Sequence, residues 1–230
     1  MELSIIIPAY NEEKRITDTL FNYYSFFSEK LRKNFEIIIV SNNCSDNTVK
    51  KVKIFSKDKQ NINLINIPYF VGKGGAVLTG FNLAKGNYIG FTDADGSIDA
   101  NNFFYLYKNL KKNDGIIASR RLKGSIILGR SYLAKISSFI FNIFVNFLFK
   151  LNFKDTQCGA KIFNKKTTKF LIKSCSQTGW IFDVDILFLC KKRKLNIVEF
   201  PITWIEKKGS KLNWKDKILS VILLIRYKLK

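Results

Sequence analysis

Asp93 and Asp95 stand two residues apart at the end of a short apolar run, Tyr88-Ile89-Gly90-Phe91-Thr92. In a strand, residues i and i+2 point to the same side, so both carboxylates can face one ligand. Two hard oxygen donors suit Mg²⁺ or Mn²⁺, with phosphate and water oxygens filling the remaining positions. A divalent ion on a diphosphate neutralises charge on a leaving group. The spacing alone is not specific, because Asp183-Val184-Asp185 repeats it, and a pair of acids capping a turn is the plain alternative. Upstream, Gly72-Lys73-Gly74-Gly75 precedes a helical pattern. Backbone N–H groups there, with the Lys73 ammonium, can receive phosphate oxygens. The run fits neither the P-loop nor the dinucleotide fingerprint, and a flexible turn is its alternative.

The rest of the composition narrows the chemistry. The chain has no histidine, which removes an imidazole base, a histidine triad and histidine metal ligands. Cys44, Cys158, Cys175 and Cys190 form no C-x-x-C pair, so zinc is not expected and reduced, mostly buried thiols are. With 39 Lys and Arg against 18 Asp and Glu, the net charge of +21 favours an anionic partner: nucleic acid, an anionic membrane surface or phosphorylated substrates. A nucleic-acid platform would interleave aromatics with basic residues. Here the aromatics fall in apolar helical and strand-like runs, so no nucleic-acid partner is expected.

The elements that must hold these residues are legible as periodicity. The 230 residues fit one α/β domain with a full core, or one domain plus a short appendage. Strand-like runs at 3–8, 36–40, 62–67, 88–92 and 115–119 alternate with helical patterns from Glu12 and at 46–55, 75–84 and 101–110. Such alternation predicts a mostly parallel sheet with helices on both faces, and ligands at the carboxyl ends of its strands. The polar clusters at 9–12, 41–46, 93–95 and 120–121 all fall there. Further strands are predicted at 161–164 and 198–205, with helices at 166–174 and 183–193.

Two segments look different. Residues 132–151 are apolar and aromatic, yet Lys135, Ser138, Asn142 and Asn146 recur at helical spacing, giving one polar stripe beside a wide apolar face. The tail holds Ile218-Leu219 and an apolar run at 221–225, flanked by lysine and arginine. The predicted division is a catalytic domain over 1–211, including an amphipathic segment at 130–151, and a basic amphipathic helix over 212–230. No uninterrupted stretch of 18 apolar residues occurs and no basic region precedes the first strand, so neither a simple transmembrane span nor a signal peptide is expected.

Ser4-Ile5-Ile6-Ile7-Pro8-Ala9-Tyr10-Asn11-Glu12-Glu13 resembles the opening of glycosyltransferase family two, whose fold is the nucleotide-sugar-binding GT-A type. Gly72-Lys73-Gly74-Gly75-Ala76, Gly86-Asn87-Tyr88-Ile89 and Asp93-Ala94-Asp95-Gly96 follow in that family's order. Asp155-Thr156-Gln157-Cys158-Gly159, the run Gly179-Trp180-Ile181-Phe182-Asp183-Val184-Asp185, and Trp204 with Gly209-Ser210-Lys211 resemble its dolichyl-phosphate β-glucosyltransferase branch. The mannosyltransferase branch shares the first half and matches the second half less well.

The resemblance implies transfer of a hexose, glucose from UDP-glucose, onto dolichyl or another polyprenyl phosphate, with a GDP-mannose or other UDP-sugar donor as the alternative. It implies donor contacts at Pro8, Tyr10, Glu12, Asn42, Lys73 and Asp93, and a metal on Asp93 and Asp95. One departure is Val40-Ser41-Asn42-Asn43 where the family usually has V-D-D-G-S. Asn42 can still accept a hydrogen bond from a base N–H, while Asp46 reads equally as a helix cap. A lipid phosphate is already anionic, so positioning and charge control matter more than a strong base. Arg120 and Arg130 are candidates for the acceptor phosphate because guanidinium binds phosphate bidentately, and Arg121 is expected to be exposed. Two roles are open to Asp155: base, or orienter of the acceptor. Gln157, Trp180 and Asp183 are candidates for the sugar pocket, with plain core as the alternative for Trp180. The expected location is peripheral, on the cytoplasmic face of a membrane.

Overall fold

The structure, a computed structural model, describes residues 1–207 and 214–229, with side chains of the last helix described from Leu219 onward. The strands of the central sheet are β1 (Leu3–Ala9), β2 (Phe35–Asn42), β3 (Ile62–Ile67), β4 (Tyr88–Phe91), β5 (Gly115–Ser119), β7 (Lys161–Asn164) and β8 (Ile197–Pro201). They are arranged β3-β2-β1-β4-β7-β5-β8. Every neighbouring pair is parallel except those of β7, which runs antiparallel to both β4 and β5. The mostly parallel sheet expected from the alternating pattern is present. The interior strands β1 and β2 are buried on both faces, which accounts for their isoleucine runs at 5–7 and 37–39 in place of strict alternation.

Helices cover both faces. On one lie α1 (Ile16–Leu31), α2 (Thr48–Ser56) and α4 (Ala100–Asn109); the core there includes Leu20, Phe27, Val52 and Phe103. On the other lie α3 (Gly72–Leu83), α5 (Tyr132–Phe149), α6 (Lys165–Ser174), α7 (Phe182–Lys192) and α8 (Trp214–Leu229), around Val77, Val145, Phe149, Phe182 and Leu224.

Three local departures from the periodicity matter for the site. The run at 198–205 is not one strand. Proline has no N–H to extend the ladder, so β8 ends at Pro201. The chain then changes partner, and β9 (Thr203–Ile205) pairs in parallel with β6 (Ile126–Leu128) in a separate two-stranded sheet. Secondly, β4 stops at Phe91, so Asp93 and Asp95 lie in the turn beyond the strand. Gly96 has φ +71° there, and Asp95 Oδ1 accepts the Ser97 N–H at 2.9 Å.

The third departure is the orientation of α5. Its polar stripe faces the protein. Asn142 is buried, and Ile140, Ile143 and Phe147 on the apolar side point outward, Phe147 being 83 % exposed. Asn142 Nδ2 donates to the Phe153 and Lys154 carbonyls, and its Oδ1 accepts the Thr156 N–H and hydroxyl. Asn146 bonds both the carbonyl and the N–H of Phe153. Despite its polar residues, α5 is long and apolar enough to cross a membrane by length and composition, with a mean hydropathy of 1.5 over 18 residues. Beside it, α8 buries Leu224 and exposes Leu219, Ile222, Leu223, Ile225 and Leu229. The predicted boundary after residue 211, and the Gly209-Ser210-Lys211 motif, lie outside the described residues.

Candidate active site

The carboxyl ends of β1, β2 and β4 form one end of the site. Pro8 is half-buried near the end of β1, and beyond it Tyr10 is exposed, edge-on to Phe70 at 5.6 Å. Tyr69 is also exposed, so three aromatics stand at this rim. Asn42 is buried at the end of β2, and its Oδ1 accepts the Val71 N–H at 2.8 Å, fixing the loop that carries Phe70. Glu12 is buried and paired with Arg15, with Nε to Oε2 at 2.7 Å. Asp46 has the structural role: Oδ1 accepts the Thr48 N–H at the start of α2, and Oδ2 accepts the Glu13 N–H.

Beneath this rim runs a chain of alternating charge. Lys161 is fully buried and pairs with Asp183 Oδ1; Lys73 reaches Asp183 Oδ2 at 3.4 Å and Asp93 Oδ1 at 2.8 Å. Burial alone would raise the Asp183 carboxyl, but Lys161 and Lys73 outweigh it and hold the group below the ordinary carboxylate range. Burial likewise disfavours the Lys73 ammonium, and Asp183 and Asp93 reverse that, lifting it above its usual value. Asp93 is pushed up by burial and by the Asp95 charge, against the pull of Lys73. Two acids whose charges repel suit a divalent ion shared with a diphosphate. Among the described residues no cluster of three or more acids, cysteines or histidines could hold an ion without such a ligand.

Glycines set the approach distances. A Cβ on Gly159 would stand 1.8 Å from Asp93 Oδ2, so the segment that begins at Asp155 packs directly on the Asp93 carboxylate. At Gly72, φ is +73° and a Cβ would meet the Thr178 carbonyl oxygen at 2.3 Å. That carbonyl accepts the Gly75 N–H at 3.2 Å. The glycine run at the start of α3 is therefore not an open turn. It is a close-packed seam, and Lys73 is the group it projects toward Asp93.

The other end of the site is dominated by cations. Arg120 and Asp155 form a bidentate buried pair, Nε to Oδ2 at 2.7 Å and Nη2 to Oδ1 at 2.9 Å, and the Arg120 N–H adds a third bond to Oδ2. Burial raises the Asp155 carboxyl, but Arg120 outweighs it and holds the group below the ordinary range. Glu199 accepts the Lys154 and Asp155 N–H groups and fixes the loop from the far side. The guanidinium groups of Arg120 and Arg130 both lie over the Trp204 ring, at 5.6 and 5.4 Å. Arg130 is held below its usual value by burial and by the Arg120 charge. Its Nε is buried with no hydrogen-bond partner, as is Gln157 Nε2. A cavity of about 650 Å³ opens here, and the charged residues lining it are Arg120, Arg121, Arg130, Lys135 and Lys154.

The sequence model of glycosyl transferase family 2 matches residues 4–172, most of the chain. The chain belongs to glycosyl transferase family 2. It is 36 % identical to a dolichyl-phosphate β-glucosyltransferase of Dictyostelium discoideum, over 92 % of this chain and 68 % of that protein. The corresponding proteins of Saccharomyces cerevisiae and Homo sapiens are 34 % and 31 % identical, over 91 % and 92 % of this chain and 69 % of each relative. Among solved structures, glucosyl-3-phosphoglycerate synthase of Mycobacterium tuberculosis, in complex with Mn²⁺, UDP and glucosyl-3-phosphoglycerate, superposes with a TM-score of 0.74 at 15 % identity, covering 99 % of this chain and 79 % of that one. A mannosyltransferase of Pyrobaculum calidifontis, in complex with GDP-mannose and Mn²⁺, gives 0.62 at 17 % identity, covering 91 % and 58 %. The fold is GT-A and the activity class is glycosyl transfer.

The structure gathers most of the predicted residues and gives several of them partners that the sequence did not indicate. Asp183, a candidate for the sugar pocket, is buried between two lysines. Trp180 is 43 % exposed, so it is not core. Arg121 is not a free surface cation: it bonds Ser138 at 2.8 Å and lies over Phe139, lining the cavity. Sequence reasoning missed Lys161, Glu199, Tyr69 and Phe70. Exposed adjacent aromatics just before the glycine run were the available signal for the last two. Nothing distinguishes Lys161 among so many lysines.

Proposed function

We propose that the protein transfers glucose from UDP-glucose, with inversion, to dolichyl or another polyprenyl phosphate at the cytoplasmic surface of a membrane. The observation that carries this reading is the cation-lined cavity walled by α5. Among the described residues no carboxylate lines it, and the neighbouring Asp155 is already paired with Arg120. Arg121, Arg130, Lys135 and Lys154 supply far more charge than a neutral acceptor needs, and the unpartnered Arg130 Nε suits a phosphate oxygen. The wall of the cavity is also the helix whose outer face is apolar, which suits an acceptor with an anionic head and a hydrocarbon tail.

In this reading the base stacks at the rim of Tyr10 and Phe70 near Asn42, and Lys73 neutralises the diphosphate from the seam of α3. Asp93 and Asp95 would hold Mg²⁺ or Mn²⁺, which when bound neutralises charge on the departing nucleoside diphosphate. An acceptor phosphate oxygen attacks the anomeric carbon as the bond to UDP breaks. The phosphate enters as an anion, so no proton need be removed, and Asp155 serves by aiming Arg120 rather than as a base. α5 lies in the interface: a helix of about 27 Å tied to the 153–156 loop by Asn142 and Asn146 keeps that side on the protein. Names of the relatives favour glucose; GDP-mannose is the competing donor. The acceptor assignment is tested with Arg130→Ala. Loss of one charge-assisted contact, about 1.5–3 kcal/mol, raises the apparent KM for polyprenyl phosphate roughly ten- to hundredfold. A rise confined to the donor KM contradicts the assignment.

A further inference from the structure

Asp185 stands two residues after Asp183 in the first turn of α7, is fully buried, and has no cationic partner among the described residues. Hydrogen-bond donors surround it instead. Its Oδ2 accepts the Cys175 thiol at 2.9 Å and the N–H groups of Ser176 and Gln177 at 3.0 Å each. Its Oδ1 accepts the hydroxyl of Tyr227, which comes from α8 at the other end of the chain. A carboxylate so placed fixes two successive amides of an irregular segment, which is how a loop without regular structure acquires one conformation.

The segment so fixed matters to the donor side. Residue 178 follows directly, and its carbonyl accepts the Gly75 N–H and bears on Gly72, the seam from which Lys73 projects toward Asp93. Two residues further on stands Trp180, and then Asp183. At the opposite end of this path, Tyr227 belongs to the helix whose Leu219, Ile222, Leu223 and Ile225 are exposed, and its ring packs with Phe149 of α5 and Phe188 of α7.

We propose that Tyr227 is a positioning residue of the transfer reaction, tying the C-terminal helix through Asp185 to the 175–178 segment that sets the donor-side seam of α3. The consequence is directional. Anything that seats or lifts α8, contact with a lipid surface first of all, reaches the donor site through one hydroxyl. This rests on the proposed nucleotide-sugar reaction for its kinetic arm only.

The test is Tyr227→Phe, which removes the hydroxyl and keeps the ring. Phe188→Leu, which loosens the same aromatic contact without touching Asp185, is the comparison. The expected result is a rise of about fivefold or more in the nucleotide-sugar KM, the scale of one lost hydrogen bond, with the polyprenyl-phosphate KM unchanged. Hydrogen exchange at the Ser176 and Gln177 amides accelerates in Tyr227→Phe while β1 and β2 amides keep their wild-type rates. Phe188→Leu lowers the unfolding midpoint and leaves the donor KM and those two amides unaffected. Wild-type exchange at 176 and 177 in Tyr227→Phe overturns the proposal, and so does an equal donor effect in Phe188→Leu. If the wild-type protein does not transfer sugar to polyprenyl phosphate, the exchange measurement decides the latch alone, and only the reaction assignment fails.

Discussion

Replacing Asp155 with asparagine separates a base from a positioning acid. Both partners of the Arg120–Asp155 pair are deeply buried, their side chains 10 % and 2 % exposed. Asparagine keeps the shape and removes the charge, leaving a buried guanidinium uncompensated, which costs about 3–5 kcal/mol. At about 2–4 °C per kcal/mol for a domain of this size, the midpoint of thermal unfolding falls by roughly 6–20 °C. The pair also leaves a signature in acid. Asp155 is held below its ordinary value in the folded protein, so its stabilisation is complete above about pH 4–5 and is lost as pH falls through the folded value. Asp155→Asn lacks that contribution and loses less stability than wild type between neutral pH and pH 3. The double change Arg120→Met with Asp155→Leu restores most of the midpoint, because apolar isosteres replace a buried pair at little cost. Acceptor turnover stays low in it because Arg120 is gone. Differential scanning calorimetry over pH, paired with turnover at 20 °C, reads all of this. An Asp155→Asn protein with a wild-type midpoint and acid profile, yet no turnover, would refute the positioning role and restore Asp155 as a base.

Two other substitutions follow from the geometry. Gly159→Ala puts a methyl 1.8 Å from Asp93 Oδ2, so the carboxylate must move; turnover falls at least about tenfold, with a smaller change in the acceptor KM than in kcat, and wild-type kcat contradicts the contact. Ile140→Asp with Phe147→Asp places two charges on the exposed apolar side of α5, away from the cavity. Wild-type protein floats with anionic vesicles and is partly released by salt, whereas the double variant stays in the soluble fraction with an unchanged unfolding midpoint; equal flotation of the two removes α5 from the membrane contact.

What could be read from the sequence divides along physical lines. The isoleucine runs of β1 and β2 and the helical spacing of Ile16, Leu20, Tyr23 and Phe27 were legible, because burial on both strand faces and on one helix face leaves a direct imprint on residue order. The stripe of Lys135, Ser138, Asn142 and Asn146 was also legible, but periodicity gives no direction. Only the 153–156 loop, with its backbone groups awaiting partners, turns the Asn142 and Asn146 side inward. The three-residue strands β6 and β9 carry too few residues for a pattern, and the break between β8 and β9 is set by one proline. At the site, Asp93, Asp95, Lys73 and Arg120 stood out by residue type and spacing. Their partners were not announced. That Asp183 is neutralised by Lys161 and Lys73, and that Asp155 belongs to Arg120, are facts of long-range packing between strands and loops far apart in sequence.

The reaction is tested most directly by incubating the wild-type protein with a short polyprenyl phosphate and equimolar UDP-glucose and GDP-mannose, with Mg²⁺ or Mn²⁺, followed by mass spectrometry of the lipid. The expected dominant product is polyprenyl phosphate glucose, formed at a rate that EDTA or Asp95→Asn lowers by at least about a hundredfold, as loss of a hard-cation ligand should. Mannosylated lipid in equal or greater amount, or undiminished transfer in EDTA, would contradict it.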